Sequence, residues 1–366
     1  MINRLNLASV VAVVASGAAG EAQGVTARSL KQAEVKLEAE FTAIGSAREL
    51  KDGRVLIADP NENRLVVADL RAGTVAAVGR VGSGPEEYRR LGKLFALAND
   101  STLLPDPGNG RWLLLHGARI VRVLPSRSAG LDLGTLIGAD SSGHVLVEKY
   151  PRRNWNEADA ATESVYVIRG NRTTGISDTI ARVLSHPVKI EHSTAASDAP
   201  PRVYEQPFSA AEQAGMFPDG VVAIARVFPY RVDQIHPGGI PVRGKALSHE
   251  PSKVDAAEKR AYMERIARAT GKEVRGASYF PVWPHEAYPF RDDGLLTAPG
   301  GVVLVLRMQT RISPETRYDV IDQTAQLVGR ITLPENQRIV GFGVRSVYVA
   351  VTDDVGIQRL VRHPWP

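Results

Sequence analysis

The chain has 366 residues and a formal charge of +5, with 43% apolar residues and no cysteine. That length fits several domains or one large β-rich unit. The missing thiols exclude disulfides, a cysteine nucleophile, Cys-ligated zinc and iron–sulfur clusters, and the apolar content excludes a membrane bundle.

Residues 1–22 read as a secretory signal peptide: Arg4 is the positive start, and Leu5 to Ala19 is an apolar run of about 15 residues, short of the roughly 20 that span a bilayer. Gly20-Glu21-Ala22 places small residues where cleavage occurs, so processing is expected near Ala22; the alternative is an uncleaved anchor. Residues 23–366 are then one exported domain, periplasmic or extracellular, without stable membrane insertion. The cations are 35 Arg and 10 Lys, a skew that with abundant Ala and Gly suggests a GC-rich bacterial genome.

Internal repetition organises the rest. Asp52 to Val67 and Asn99 to Leu114 match without a gap at an offset of 47. Both read as turn, short apolar strand, Asp-Pro-x-x-x-Arg, second apolar strand. Weaker copies start at Ser142, Asp219, Gly300 and Arg345. Anchored at positions 53, 100, 143, 220, 301 and 346, the steps are 47, 43, 77, 81 and 45. Three steps suit a four-stranded propeller blade, and the two long ones hold a blade plus an insertion of about 30 residues each, at about 151–207 and 245–290; the alternative is a further degenerate blade in each, for seven or eight in all. Residues 185–207, rich in Pro, Ser, Ala and His, read as a long loop. Residues 252–270 read as a helix, capped by Ser252 with Asp255 three residues on, ended by Gly271, and carrying Tyr262, Ile266 and Ala269 on one face. The expected fold is all-β: a six-bladed β-propeller of four-stranded antiparallel blades with one short inserted helix. Val35 to Ile44 alternates as a strand and is expected to complete the last blade beside Gly356–Arg362, removing an open edge.

The segment Ile57-Ala58-Asp59-Pro60-Asn61-Glu62-Asn63-Arg64-Leu65-Val66-Val67-Ala68-Asp69-Leu70 resembles the NHL repeat. Gly79-Arg80-Val81-Gly82-Ser83-Gly84-Pro85-Glu86-Glu87-Tyr88 is similar to the Gly-x-Gly-Pro-Gly-Glu-Phe turn of exported bacterial six-bladed propellers of the NHL-like and TolB-like kind, with Glu86 in place of a glycine. The resemblance covers residues 45–125 well and the rest faintly. It implies the fold; for function it implies mostly binding scaffolds and a few enzymes.

No sequence motif announces chemistry. Gly79, Gly82 and Gly84 lack the Lys-Ser/Thr of a phosphate loop and read as a turn between blades. Asp59/Arg64 and Asp106/Arg111 recur in register, as structural ion pairs or turn locks would; no catalytic residue and no metal ligand is assigned. None of the eight histidines forms a close metal pair, and His186 and His192 read as solvated loop residues. Asp292-Asp293 and Asp353-Asp354 read as turn markers. Arg89-Arg90 and Arg152-Arg153 are the only arginine doublets, so nucleic acid is not an expected partner. Tyr279 to Phe290, dense in aromatics and prolines, is either a rim loop that stacks on a glycan or peptide or the packing surface of the helix.

The expected function is an exported, monomeric, non-enzymatic propeller that binds a protein, peptide or glycan of the cell envelope on its loop face, without a cofactor. The alternative is a metal-assisted hydrolase or lactonase using side chains, one per blade, around a divalent cation in the central channel.

Overall fold

The computed structural model describes residues 26–126, 134–150, 164–191, 202–270, 280 and 282–365. The proposed leader, His192, Gly271, Tyr279 and Pro281 lie outside these residues.

The strands assemble into consecutive four-stranded antiparallel units. Sheet I is Ser46–Glu49, Val55–Asp59, Arg64–Asp69 and Thr74–Ala77; sheet II is Phe95–Ala96, Ser101–Asp106, Arg111–His116 and Arg119–Pro125. Sheet III is Thr135–Ala139, His144–Lys149, Ser164–Asn171 and Ser177–Leu184; sheet IV is Gln213–Met216, Val222–Arg226, Arg231–Ile235 and Pro241–Val242. Sheet V is Phe290–Ala298, Val302–Arg307, Thr316–Ile321 and Leu327–Leu333, with Ala27–Arg28 added in parallel at its outer edge. Sheet VI takes Gln337–Phe342, Ser346–Thr352 and Gln358–Pro364 from the C-terminus and its outer strand, Val35–Lys36, from the other end of the chain.

Of the six repeat anchors, Ser346 opens the second strand of sheet VI, and the other five fall in the hairpin between the first and second strands of a sheet. Gly53, Gly143, Gly220 and Gly301 hold positive φ there, and Asp100 takes the same left-handed conformation at φ 57°, which a short polar side chain tolerates.

Strict alternation along the second strands builds the core. Leu56 and Ala58 pack toward sheet II, while Val55 and Ile57 pack toward sheet VI. Leu103 faces sheet III and Leu104 sheet I; Val145 and Val147 face sheet II and Leu146 sheet IV. Val222 and Ile224 face sheet III and Ala223 and Ala225 sheet V; Val303 and Val305 face sheet IV and Leu304 and Leu306 sheet VI. Val347 and Val349 then face sheet V, and Tyr348 and Ala350 return to sheet I. Each sheet is therefore apolar on both faces and buries them against two neighbours, at roughly 1.5–3 kcal/mol per buried Val, Leu or Ile. The succession ends where it began, so the sheets form a closed ring.

The closing joint is built as the sequence predicts. Val35 pairs with Arg362, Lys36 with Val361 and Phe41 with Gln358, all antiparallel. Leu37, Phe41 and Ile44 are fully buried between sheets VI and I. At the inner edge, Gly341 and Phe342 pair in parallel with Ala47 and Arg48. A Cβ on Gly341 would overlap the Ala47 carbonyl, so only glycine permits this approach.

The long steps are insertions: among the described residues they hold a two-stranded hairpin, Val188–Glu191 with Arg202–Glu205, and the α-helix Ala256–Thr270, not a further four-stranded sheet. The hairpin corrects the expectation of a long loop over 185–207, because Val188-Lys189-Ile190 and Val203-Tyr204 supply β-formers on both sides. The helix cap is also corrected. Asp255, not Ser252, stands before the first turn and accepts from Glu258 N at 2.8 Å, while the Ser252 carbonyl accepts from Ala287 N. Tyr262 packs on Phe208 at 4.8 Å between centroids, with Trp283 and Phe280 against it. The aromatic segment thus seats the helix on the ring.

Candidate functional site at the channel mouth

Because strands alternate in direction, the loops between second and third strands and the connections between sheets share one end of the ring. Both insertions leave from that end, and the upstream ends of the innermost strands surround the channel beneath them. Lys93 precedes the first strand of sheet II, and Glu148 is the last residue but one of the second strand of sheet III. Gln213 starts sheet IV, Arg291, Asp292 and Asp293 lie in the first strand of sheet V, and Arg338 in that of sheet VI.

The acidic pair does not mark a simple turn. Between Phe290 and Leu295 the pairing with the second strand breaks, and residues 291–294 bulge out. Sheet IV braces the bulge: Gln213 donates to the Arg291 carbonyl at 2.6 Å and accepts from Leu295 N at 3.0 Å, and Ala211 N donates to Asp292 at 2.7 Å. Asp293, held at φ 55°, reaches Lys93 at 3.1 Å, 200 residues away in sequence. Both partners are solvent-exposed, so this contact sets charge placement and adds little stability.

Glu148 sits half-buried behind this pair. Desolvation, reinforced by the negative charge of Asp293 and offset by Lys93, raises its pKa to about 7 from 4.5. The neutral form is thus favoured on folding. The resulting stabilisation is complete below about pH 4.5 and is lost as pH rises through 7. Such a displacement caps the effect near 3 kcal/mol, and partial exposure brings the expected value to about 1–2 kcal/mol. Glu148→Gln is expected to remove this loss. Urea unfolding should then show the variant about 1–2 kcal/mol more stable than the parent at pH 8 and equal to it at pH 4.

His186 is not a solvated loop residue. Its Nε2 lies 2.9 Å from Asp292 and its Nδ1 2.9 Å from the Pro187 carbonyl. Burial alone would lower its pKa, but the Asp292 carboxylate and the carbonyl reverse this, and the net direction is upward. Ser209 lies 3.3 Å from the same Nε2 and donates its own proton to the Gln206 carbonyl at 2.5 Å. The three side chains resemble a nucleophilic triad only by composition. Carboxylate and hydroxyl share one ring nitrogen, so the imidazole cannot relay a proton from serine while held by aspartate on its other side. Histidine and carboxylate instead tie the inserted hairpin to the bulge.

The repeated Asp/Arg pairs lie on the same end of the ring, away from the channel. Asp59, fully buried, accepts from Thr42 N, Ala43 N, Asn61 N and Glu62 N at 2.9–3.2 Å. Asp106 accepts from Arg89 N and Arg90 N, the positions 47 residues later, and from Asn109 Nδ2 and Arg111 Nε at 2.7 and 3.1 Å. Each carboxylate anchors an incoming connection to a hairpin loop. The ion pair itself is not repeated. Arg111 meets Asp106, whereas Arg64 donates to the Glu40 carbonyl and lies 3.1 Å from Glu62. Backbone N–H groups occupy both oxygens of Asp59, which removes the arginine's acceptor.

Gly79 to Tyr88 bridges sheets I and II. Arg80 and Val81 pair in parallel with Glu87 and Tyr88, Glu87 accepts from Gly84 N at 2.7 Å, and the buried Tyr88 hydroxyl accepts from Leu65 N at 3.0 Å. Arg111 donates to the carbonyls of Ser83, Gly84 and Glu87, so the loop is fastened to the second repeat.

Among the described residues, no group of three or more His, Cys, Asp or Glu side chains is arranged to hold a metal ion. The mouth instead alternates carboxylates with cations. Among the same residues, no helix is long and apolar enough to cross a membrane.

No protein-family model and no curated relative matches the chain. Solved structures do. A member of the DUF4221 family from Bacteroides vulgatus aligns with a TM-score of 0.51 at 10% identity, over 91% of this chain and 97% of that one. The fold is a β-propeller. A gluconolactonase from Xanthomonas campestris aligns at TM-score 0.47 and 12% identity, over 92% of this chain and 91% of that one. The calcium-binding protein regucalcin from Agrobacterium tumefaciens aligns at 0.45 and 14%, over 93% and 97% of the two propellers. At these identities the likeness concerns architecture, and function has to be argued from the site.

Proposed function

We propose that this chain is an exported six-bladed propeller of the NHL-like/TolB-like kind that binds a protein, peptide or glycan of the cell envelope at its insertion-bearing face, without catalysing a reaction. One observation carries the proposal. The inserted hairpin, the helix and the charged channel mouth all occupy one end of the ring, where Asp292 links hairpin to bulge and Lys93 links sheet II to sheet V. Rigid sheets thereby hold long connections around a polar recess, the usual arrangement for recognition. The repeated aspartates, on this reading, are turn locks that stiffen the same end. The test is immobilised full-length protein against envelope glycan and peptide fractions, comparing the parent with Lys93→Glu. Retention is expected to fall at least tenfold in the variant with an unchanged melting temperature; equal retention would locate binding elsewhere.

The hydrolase alternative draws on one feature, the Glu148 carboxyl, whose pKa of about 7 suits proton transfer at neutral pH. Ester and lactone turnover that is abolished both by a chelator and by Glu148→Gln would replace the binding reading with a catalytic one.

A further inference from the structure

Two arginines far apart in sequence meet at Gln309 beside the mouth, and a third, Arg338, lies within electrostatic reach of one of them. Arg265 on the helix donates to the Gln309 carbonyl at 3.2 Å, and Arg291 on the bulge donates to the Gln309 side-chain oxygen at 2.9 Å. Gln309 is itself buried and fixed, donating to the Pro314 carbonyl at 2.9 Å. Arg338, on the first strand of sheet VI, donates to the Ile44 carbonyl at 2.9 Å and lies within electrostatic reach of Arg291. Among the described residues, none of the three has a carboxylate within 4.0 Å. Arg307, Arg111, Arg226, Arg231, Arg330 and Arg359 all have one.

Each guanidinium offers five N–H donors. Here, among the described residues, each places a single hydrogen bond on a protein acceptor. Arg265 and Arg338 are half-buried, and Arg291 is exposed, so two of the cations are desolvated in place and the third opens the group to solvent. Neighbouring charges of one sign with little water are costly to hold together. The nearby acids are already committed: Glu258 accepts twice from Arg311 N, Glu335 faces Arg268 and Asp293 faces Lys93. An oxyanion placed among the three would supply the missing counter-charge and the planar acceptor geometry that guanidinium groups match.

We propose that Arg265, Arg291 and Arg338 form a binding subsite for a compact oxyanion, a carboxylate or a phosphate group of the ligand. The proposal rests on the reading of this face as a binding face and names the chemistry it selects. Asp292, Asp293 and Glu148 border the site on the channel side, so the anion recognised is a single group and not an extended polyanion.

The test is isothermal titration of the full-length chain at constant ionic strength with inorganic phosphate in one arm and monomeric galacturonate in the other. Saturable one-to-one binding in either arm is expected, with chloride inert. Phosphate alone would identify a phosphoryl ligand, and the galacturonate alone a carboxylated one. Arg291→Gln, at an exposed position, is expected to weaken binding at least tenfold, and Arg265→Gln to do the same. Arg311→Gln, an exposed arginine in the neighbouring loop, should bind like the parent. Absence of saturable binding in both arms, or unchanged affinity in Arg291→Gln and Arg265→Gln, overturns the subsite. If envelope retention still falls in Lys93→Glu when the subsite fails, the binding face stands and only its oxyanion chemistry is lost.

Discussion

A chain lacking residues 26–44 is expected to lose its cooperative unfolding transition altogether. The deletion removes the outer strand of sheet VI, whose backbone pairs with Arg362 and Val361, and the fully buried Leu37, Phe41 and Ile44 between sheets VI and I. Three such side chains account for roughly 5–9 kcal/mol of burial, as much as a typical domain's entire net stability. It also strips Thr42 and Ala43 from the buried Asp59, which then lacks two of its four backbone donors. Scanning calorimetry should show a broad, weak or absent transition, and light scattering should report association through the exposed edge of Gln358–Pro364. The milder Phe41→Ala separates packing from pairing: it leaves the ladder intact and is expected to cost about 3–5 kcal/mol in urea unfolding. A deletion variant that melts as sharply as the parent would mean that the ring does not depend on this joint.

Asp319→Ala is expected to cost about 3–5 kcal/mol, the largest effect of any single polar substitution proposed for this protein. Asp319 has no exposed surface, yet it accepts from Arg307 at 2.8 Å, from Arg330 at 2.8 Å and from the Tyr230 hydroxyl at 2.8 Å. Arg307 stacks over the Tyr230 ring at 5.1 Å and donates to His249 Nδ1 at 3.1 Å, whose Nε2 then donates to the Ala287 carbonyl. Burial would raise the Asp319 pKa, but the two arginines outweigh it and the group stays below the usual carboxylate range. Its contribution is therefore present at neutral pH and lost as pH falls through the folded-state pKa. Removing the carboxylate leaves two guanidinium groups and a buried hydroxyl without their acceptor. Because the network joins sheets IV and V, the loss should appear as a lower urea midpoint with an unchanged slope. A cost below 1 kcal/mol would show that water replaces the carboxylate and that the network is ornamental to stability. Asp319→Leu combined with Arg307→Met should recover part of the loss, since a buried pair replaced by apolar side chains of similar volume is often tolerated.

Much of the architecture was legible from local pattern. The offset of 47 between Asp52–Val67 and Asn99–Leu114 maps onto hydrogen bonds that repeat at the same offset, Thr42 and Ala43 to Asp59 and then Arg89 and Arg90 to Asp106. The ring-closing segment was legible because Val35, Leu37, Ala39 and Phe41 alternate. The inserted hairpin was not: its strands are four residues each, too short for periodicity to stand out from proline-rich surroundings. The helix cap was misplaced by one candidate because Ser252 and Asp255 are both competent side chains, and only the backbone path chooses between them.

The site was much less legible. Asp292-Asp293 looks like a turn, and nothing local indicates that a break in pairing turns the segment toward the channel. His186 looks solvated because its partner, Asp292, is more than one hundred residues away. Basic charge does not cluster along the chain, yet folding gathers Arg265, Arg291 and Arg338 around Gln309 and the neighbouring strand.

By itself, then, the sequence determined what periodicity and turn chemistry encode: an all-β ring of repeated four-stranded units, closed by its own N-terminal segment, with two insertions and without thiol chemistry. Only the tertiary structure decided where charge gathers, which carboxyl is pushed toward neutrality and which arginines have no carboxylate within 4.0 Å among the described residues. The physical reason is range. Strand alternation and hairpin turns are set by residues a few positions apart, whereas the channel mouth takes one or a few side chains from each of several sheets. Their electrostatics exist only once the ring has closed.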